Sequence, residues 1–181
     1  MKEERRQFFE RIDGDQYRDY ILSHCSKDYE KVKSSLERLM DNRFMFDSPW
    51  DMEPCSKIHQ IQPMVWYQVF EDDPEWAYML NRQEYLLQFM IGYLVEGDKG
   101  YIQKCKFFLF DWIEQAREFS PQSLMTRTLD TGIRSFTWLK LLLLLLKFDL
   151  LEEQELEKIL VSLEKQIDFM KSHYRAKYTL S

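Results

Sequence analysis

Residues Thr126–Leu139 read TRTLDTGIRSFTWL and run without a break into Lys140–Phe148, KLLLLLLKF. Small polar residues and two arginines thus lead directly into six consecutive leucines. A bilayer span needs about 20 predominantly apolar residues, and this run is far shorter. It reads as a helix from about Thr131 to Phe148, buried on nearly all sides.

The stretch Asp72–Arg82, DDPEWAYMLNR, repeats that arrangement upstream. Behind it, Leu86, Phe89, Met90, Tyr93 and Leu94 recur at helical spacing. Gly97-Asp98-Lys99-Gly100 makes a short connection. The next helix carries Ile102, Cys105, Phe108, Leu109, Trp112 and Ile113 on one face, and Ser120-Pro121 breaks it off. A last helix, from about Glu152 to Arg175, has Leu156, Ile159, Leu160, Leu163, Ile167 and Met170 as its stripe. Very apolar helices alternating with amphipathic ones suit an (α/α) toroid, whose inner helices are covered and whose outer helices show one face to water.

Nearer the N-terminus, Tyr29, Val32, Leu36, Leu39 and Met40 predict an amphipathic helix over Asp28–Asp41. Short helices broken near Asp13-Gly14 are expected before it, with Phe8, Phe9 and Ile12 among their apolar positions. Periodicity then disappears. Phe44, Phe46, Trp50, Trp66, Tyr67 and Phe70 lie among three prolines, which predicts a long aromatic loop packed over helix ends, with no strand. Loops of that length in a compact domain are often functional. The expected fold is therefore all-α: a single domain over 1–181, with N-terminal helices in 1–41, an aromatic loop in 42–77 and antiparallel helical hairpins of a partial toroid in 78–181.

Bulk properties agree. A chain of 181 residues fits one domain and buries roughly 70% of its extended surface. Five glycines and five prolines are too few for a sandwich or barrel of many tight turns. With a net charge of −6 and no basic stripe, no nucleic-acid partner is expected. That acidity counts mildly against a polyanion, although a cleft can be locally positive. Cys25, Cys55 and Cys105 are far apart and odd in number, so reduced thiols in a cytoplasmic protein are expected. The start, MKEERRQFFERIDGD, shows no apolar leader segment; a periplasmic or secreted location stays open if a leader was removed. His24, His59 and His173 form no HxxxH or HExxH pattern, and neither a metal nor any other cofactor is expected. No glycine-rich phosphate loop or GxSxG elbow is present.

Several residues are candidates for ligand contacts, each with a competing structural role. Asn81 and Arg82 suit sugar hydroxyls or a carboxylate, because the guanidinium fork donates two parallel hydrogen bonds. Equally, Asn81 could cap a helix, with Glu84 as its reciprocal partner. Arg134 is either a cleft cation or an ion-pair partner of Asp130, four residues earlier. Arg127 reads as a loop cation or a second ligand contact. Trp76, among polar residues, is the better stacking platform and Trp66 the next, whereas Trp112 and Trp138 belong to apolar stripes. His59 falls in the aromatic loop.

Taken in order, DPEWAYMLNR, GDKGY (Gly97–Tyr101), DWIEQ (Asp111–Gln115) and RTLDTGIRSFTW resemble the N-terminal helical domain of heparinase II/III-like polysaccharide lyases. The resemblance covers about Pro63 to Ser181. It departs at Thr126, where relatives often have tryptophan. It implies an incomplete (α/α) toroid followed by a β-rich C-terminal domain, and an anionic polysaccharide or oligosaccharide as partner. It also implies β-elimination on uronic-acid polymers such as heparan sulfate or alginate. Neutralising the uronate carboxylate stabilises the enolate that forms when the neighbouring proton leaves. The family's carboxylate-binding asparagine comes at about the point where this chain stops, and its tyrosine and histidine follow. No catalytic residue is therefore expected here; Asn81, Arg82, Arg134, Trp76, Arg127, Trp66 and His59 would bind substrate. The isolated segment would be inactive. Two other readings are a non-catalytic helical module binding a protein partner or carbohydrate, and an (α/α) glycoside hydrolase. The hydrolase needs two facing carboxylates, whereas Glu71-Asp72-Asp73-Glu75 reads as a solvated turn.

Overall fold

The computed structural model of the chain describes residues 13–47, 55–70 and 72–173. Phe8, Phe9, Ile12, Trp50, Glu71, Arg175 and Ser181, used above, lie outside them. The described residues form helices α1 (Gly14–His24), α2 (Ser26–Met40), α3 (Pro74–Arg82), α4 (Leu86–Glu96), α5 (Lys99–Gln115), α6 (Thr128–Lys147) and α7 (Glu153–His173). Strands β1 (Arg43–Phe46) and β2 (Cys55–Gln60) complete the list. The fold is mostly all-α.

Two sequential hairpins dominate. α4 turns into α5 through Gly97, whose φ of 72° ends α4, and Asp98, whose side chain caps α5 at Gly100 N. α6 and α7 run antiparallel: Ser135 bonds Gln166, and Gly132 faces Met170. α4 packs against α6 as well as α1, α2 and α5, so it is an inner helix of the array. Gly92 lets α2 come close, since a Cβ there would lie 2.6 Å from Leu36 Cδ1. The Lys106–Glu155 ion pair, at 2.6 Å, links the outer helices α5 and α7.

Three expectations need correction. The aromatic stretch holds a two-stranded antiparallel sheet, with Arg43 opposite Gln60, Phe44 opposite His59 and an irregularity before Phe46. Strand pairing satisfies backbone groups that a bare loop over the core would leave unpaired, and it seats Phe44 in the core at 0% exposure. Second, the loop does not extend to residue 77. Asp73 accepts from Glu75 N at 2.9 Å and Pro74 takes the first turn, a sequence that starts a helix. Third, α6 is not covered on nearly all sides. Leu129, Phe136, Leu139, Leu143 and Leu146 face outward. Among the described residues, no helix is long and apolar enough to cross a membrane.

One polar cluster ties three helices together. Glu96, at the end of α4, accepts from Tyr29 of α2 at 2.8 Å and Tyr101 of α5 at 3.0 Å, with Lys33 3.3 Å away. The Tyr29 hydrogen bond holds the Glu96 carboxyl below its ordinary value against the opposing effect of burial. Burial, reinforced by Glu96, pushes the tyrosines up, Tyr101 to about 12. A lowered carboxylate adds stability above its unfolded value, near 4.5, that is lost as pH falls through the folded value. The raised tyrosines add stability that is present below about 10 and lost as pH climbs toward 12. Glu96→Gln should therefore flatten both limbs of a stability–pH curve measured by urea unfolding. An unchanged acid limb would show that Glu96 contributes nothing there.

Candidate functional site

Gln83, left-handed at φ 55°, ends α3 and turns the chain into α4. Asn81, Arg82 and Gln83 are thereby placed where α3, α5 and α6 converge. Three buried indoles there need acceptors for their N–H groups. Trp66 donates to Asp111 at 2.7 Å, Trp112 to the Asn81 side chain at 2.8 Å, and Trp138 to Gln83 at 2.7 Å. The Asn81 amide nitrogen donates to the Trp66 and Ala77 carbonyls, each at 2.7 Å. Gln115 donates to Asp111 and to the Met64 carbonyl, which fastens the segment before α3 to α5.

Arg134, at 0% exposure, is the hub. It donates to the carbonyls of Asn81 (2.8 Å) and Met125 (2.9 Å), to Gln166 Oε1 (2.9 Å) and to Thr131 Oγ1 (3.1 Å). Its guanidinium lies 3.9 Å from the centre of the Trp112 ring, within cation–π range. Burial pushes it down to about 9, against the attraction of Asp130 and Tyr85, so it remains protonated at neutral pH.

A second cluster lies beside the first. Asp130, 0% exposed, accepts from Arg82 Nε at 2.8 Å and from Arg127 Nε and Nη2 at 2.5 and 3.1 Å. Arg82 also reaches Glu75 at 2.8 Å. Arg127 stacks 3.5 Å above the Tyr78 ring and keeps a 29% exposed side chain. Hydrogen bonding and the charge of Asp130, followed by Glu75, raise it despite partial burial.

The sequence-predicted residues thus separate into interior and surface groups. Asn81 and Arg134 are interior, with their polar groups occupied by the protein itself. Asn81 is in the last turn of α3 and not at an N-cap. Asp130, engaged by Arg82 and Arg127, makes no ion pair with Arg134, and α6 starts at Thr128, ahead of the expected start at Thr131. Trp66 and Trp76 are 0% and 2% exposed and cannot serve as open stacking platforms. Trp76 packs against Phe44, Phe46, His59 and Phe70. His59 is half-buried, stacked 4.1 Å from Phe70. Arg82 retains 7% exposure. Arg127 is the candidate that combines a fixed orientation with an accessible cation. Thr126 is buried and bonds Ser120. Sequence reasoning missed Glu75, Tyr78, Gln83, Asp111 and Gln166; the need of buried tryptophans and arginines for acceptors was the available signal.

Arg82 also lines an open groove of about 1340 Å³ between α2, β1 and the first turns of α4 and α6. Its walls include Arg38, Phe46, Met79, Gln88 and Leu129. The Gln88 side-chain oxygen Oε1 is buried without a hydrogen-bond partner. Among the described residues, no group of three His, Cys, Asp or Glu side chains is placed to hold a metal.

An all-α array of antiparallel hairpins, locked by a buried arginine–tryptophan network beside an open groove, is the class this structure defines. Within it, the chain belongs to the heparinase II/III N-terminus family, whose sequence profile matches residues 16–179. No curated protein and no solved structure matches the chain significantly. The family is that of a polysaccharide lyase module.

Proposed function

We propose that this chain is the N-terminal helical part of a polysaccharide lyase acting on uronic-acid polymers by β-elimination. Its share of the work is substrate binding, with the proton-transfer groups and a β-rich domain supplied by other parts of a longer chain. The family match over residues 16–179 carries this reading. The groove supports it with an open surface whose wall carries Lys31, Arg38 and Arg82 alongside Glu30, Asp47 and Glu84. Burial pushes the Tyr85 hydroxyl well above its ordinary value, which makes it a poor proton-transfer group at neutral pH.

Arg127 is the proposed carboxylate contact. Tyr78 and Asp130 hold its guanidinium plane in place, and its exposed edge is left to face an anion. Asn81 and Arg134 act behind it as positioning residues, and Arg82 joins Arg127 to the groove. Calorimetric titration with heparan sulfate and alginate oligosaccharides should detect binding of one of them. Arg127→Ala should weaken it about tenfold, as expected for one lost charge-assisted hydrogen bond, without loss of the folded structure. Absence of binding to either oligosaccharide, or equal affinity of the variant, would remove Arg127 from the site.

A further inference from the structure

The outward side of α6 carries a pattern that the core does not use. Leu129, Phe136, Leu139, Leu143 and Leu146 are 57, 61, 47, 41 and 36% exposed. Together with Gly132 they recur in alternating steps of three and four, the heptad spacing of a helix–helix seam. The opposite side of α6, including Arg134, Trp138, Leu141 and Leu145, is buried. α7 borders the seam: Met170 lies against Gly132, and Leu160 and Ile167, on the same edge of α7, are 49 and 38% exposed.

We propose that this face joins two copies of the chain, paired antiparallel about a two-fold axis. The seam is self-complementary in that direction. Setting Phe136 opposite Leu139 of the second copy also sets Leu129 opposite Leu146 and Gly132 opposite Leu143. Leu143 then enters the space over Gly132, where a Cβ would meet only Met170 Sδ, at 3.5 Å. Lys140, 4.1 Å from the Phe136 ring, flanks the seam on its exposed edge. A parallel pairing would instead set glycine on glycine and phenylalanine on phenylalanine. With α7 alongside, the two hairpins form a four-helix arrangement, a common way of burying such faces.

The area is sufficient. At roughly 200 Å² per side chain, the seven exposures amount to about 660 Å² per copy, and complete burial on pairing removes about 1,300 Å², near the lower end for a specific stable interface. A patch of this size on a monomer marks an interaction surface.

Sedimentation equilibrium of the chain tests the pairing. A dimer with Kd on the order of micromolar is expected, the weak end of the range for specific interfaces, since this one is at the small end and its area alone sets no affinity. Leu139→Glu and Leu143→Glu, at exposed positions, should each give a folded monomer. Gly132→Val should weaken the dimer about tenfold by closing the space that receives Leu143. With Cys25 and Cys55 replaced by serine, the Phe136→Cys/Leu139→Cys pair should crosslink two copies efficiently, whereas Leu139→Cys alone should not. A chain that stays monomeric at several hundred times that Kd overturns the proposal. A dimer indifferent to Leu143→Glu overturns it as well.

Discussion

Arg134→Ala is expected to cost the chain about 3–5 kcal/mol, the range for truncating a large buried side chain that also leaves buried acceptors unbonded. For a domain of this length that lowers the thermal midpoint by roughly 10 °C. The loss has two sources. Two backbone carbonyls, Asn81 O and Met125 O, share one guanidinium nitrogen, and each buried acceptor left unmade costs about 1–3 kcal/mol. A cavity also opens beneath Trp112, beside the ring on which the guanidinium stacks. Arg134→Lys should recover little, because an ammonium lacks the planar fork that reaches acceptors on both sides while lying flat on an indole. Arg134→Met separates the contributions. It fills the space and removes the cost of burying a charge, yet leaves the carbonyls unbonded. If Met restores the midpoint, charge burial and packing dominate and the carbonyls contribute little. If Met resembles Ala, the hydrogen bonds hold the hub. A loss below about 1 kcal/mol for Arg134→Ala, within the range of ordinary surface substitutions, would show that the hub is not structurally required.

This hub also explains what the sequence could and could not reveal. Helical periodicity is a local property, so α2, α4, α5, α6 and α7 were legible within a few residues of their ends. The β-hairpin was not. β1 is four residues long, and most of β2 is exposed without clean alternation, so neither strand carries a period-two signal. Site residues failed for a different reason. Arginine, asparagine and tryptophan before an apolar helix can face a cleft or face each other, and only tertiary contacts decide. Here DPEWAYMLNR, DWIEQ and TRTLDTGIRSFTWL converge through Asn81, Trp112 and Arg134. Much of the sequence that carries the resemblance is thus a buried lock between helices, while Arg127 keeps a partly exposed cation. The exposed leucines of α6 were hidden by composition. Six in a row look buried on every side, but helical rotation turns Leu143 and Leu146 outward while Leu141, Leu142 and Leu145 face in.

Asp130→Asn should destabilise the chain by about 3 kcal/mol, because it leaves a buried arginine without its principal counter-charge. The carboxylate is 0% exposed and its oxygens take three hydrogen bonds from two guanidinium groups. An amide of the same shape offers one acceptor and turns an NH2 toward a cation. Glu75 can compensate only in part: it already holds Arg82 at 2.8 Å, and it lies 3.8 Å from Arg127. A smaller effect has its own meaning. Asp130 lies in the first turn of α6, where a carboxylate gains about 0.3–1 kcal/mol from the helix dipole alone. A loss confined to that range would mean that the ion pairs add nothing beyond the dipole. A double-mutant cycle of Asp130→Asn with Arg82→Met isolates the pair. Strong coupling requires that the double variant lose much less than the sum of the single ones, since removing both charges removes the uncompensated arginine. The same variant bears on function, because Arg127 is oriented by Asp130 on one side and Tyr78 on the other. If oligosaccharide affinity depends on that orientation, Asp130→Asn weakens binding even at temperatures where the chain stays folded. Unaltered affinity there would show that Arg127 finds its ligand without being held.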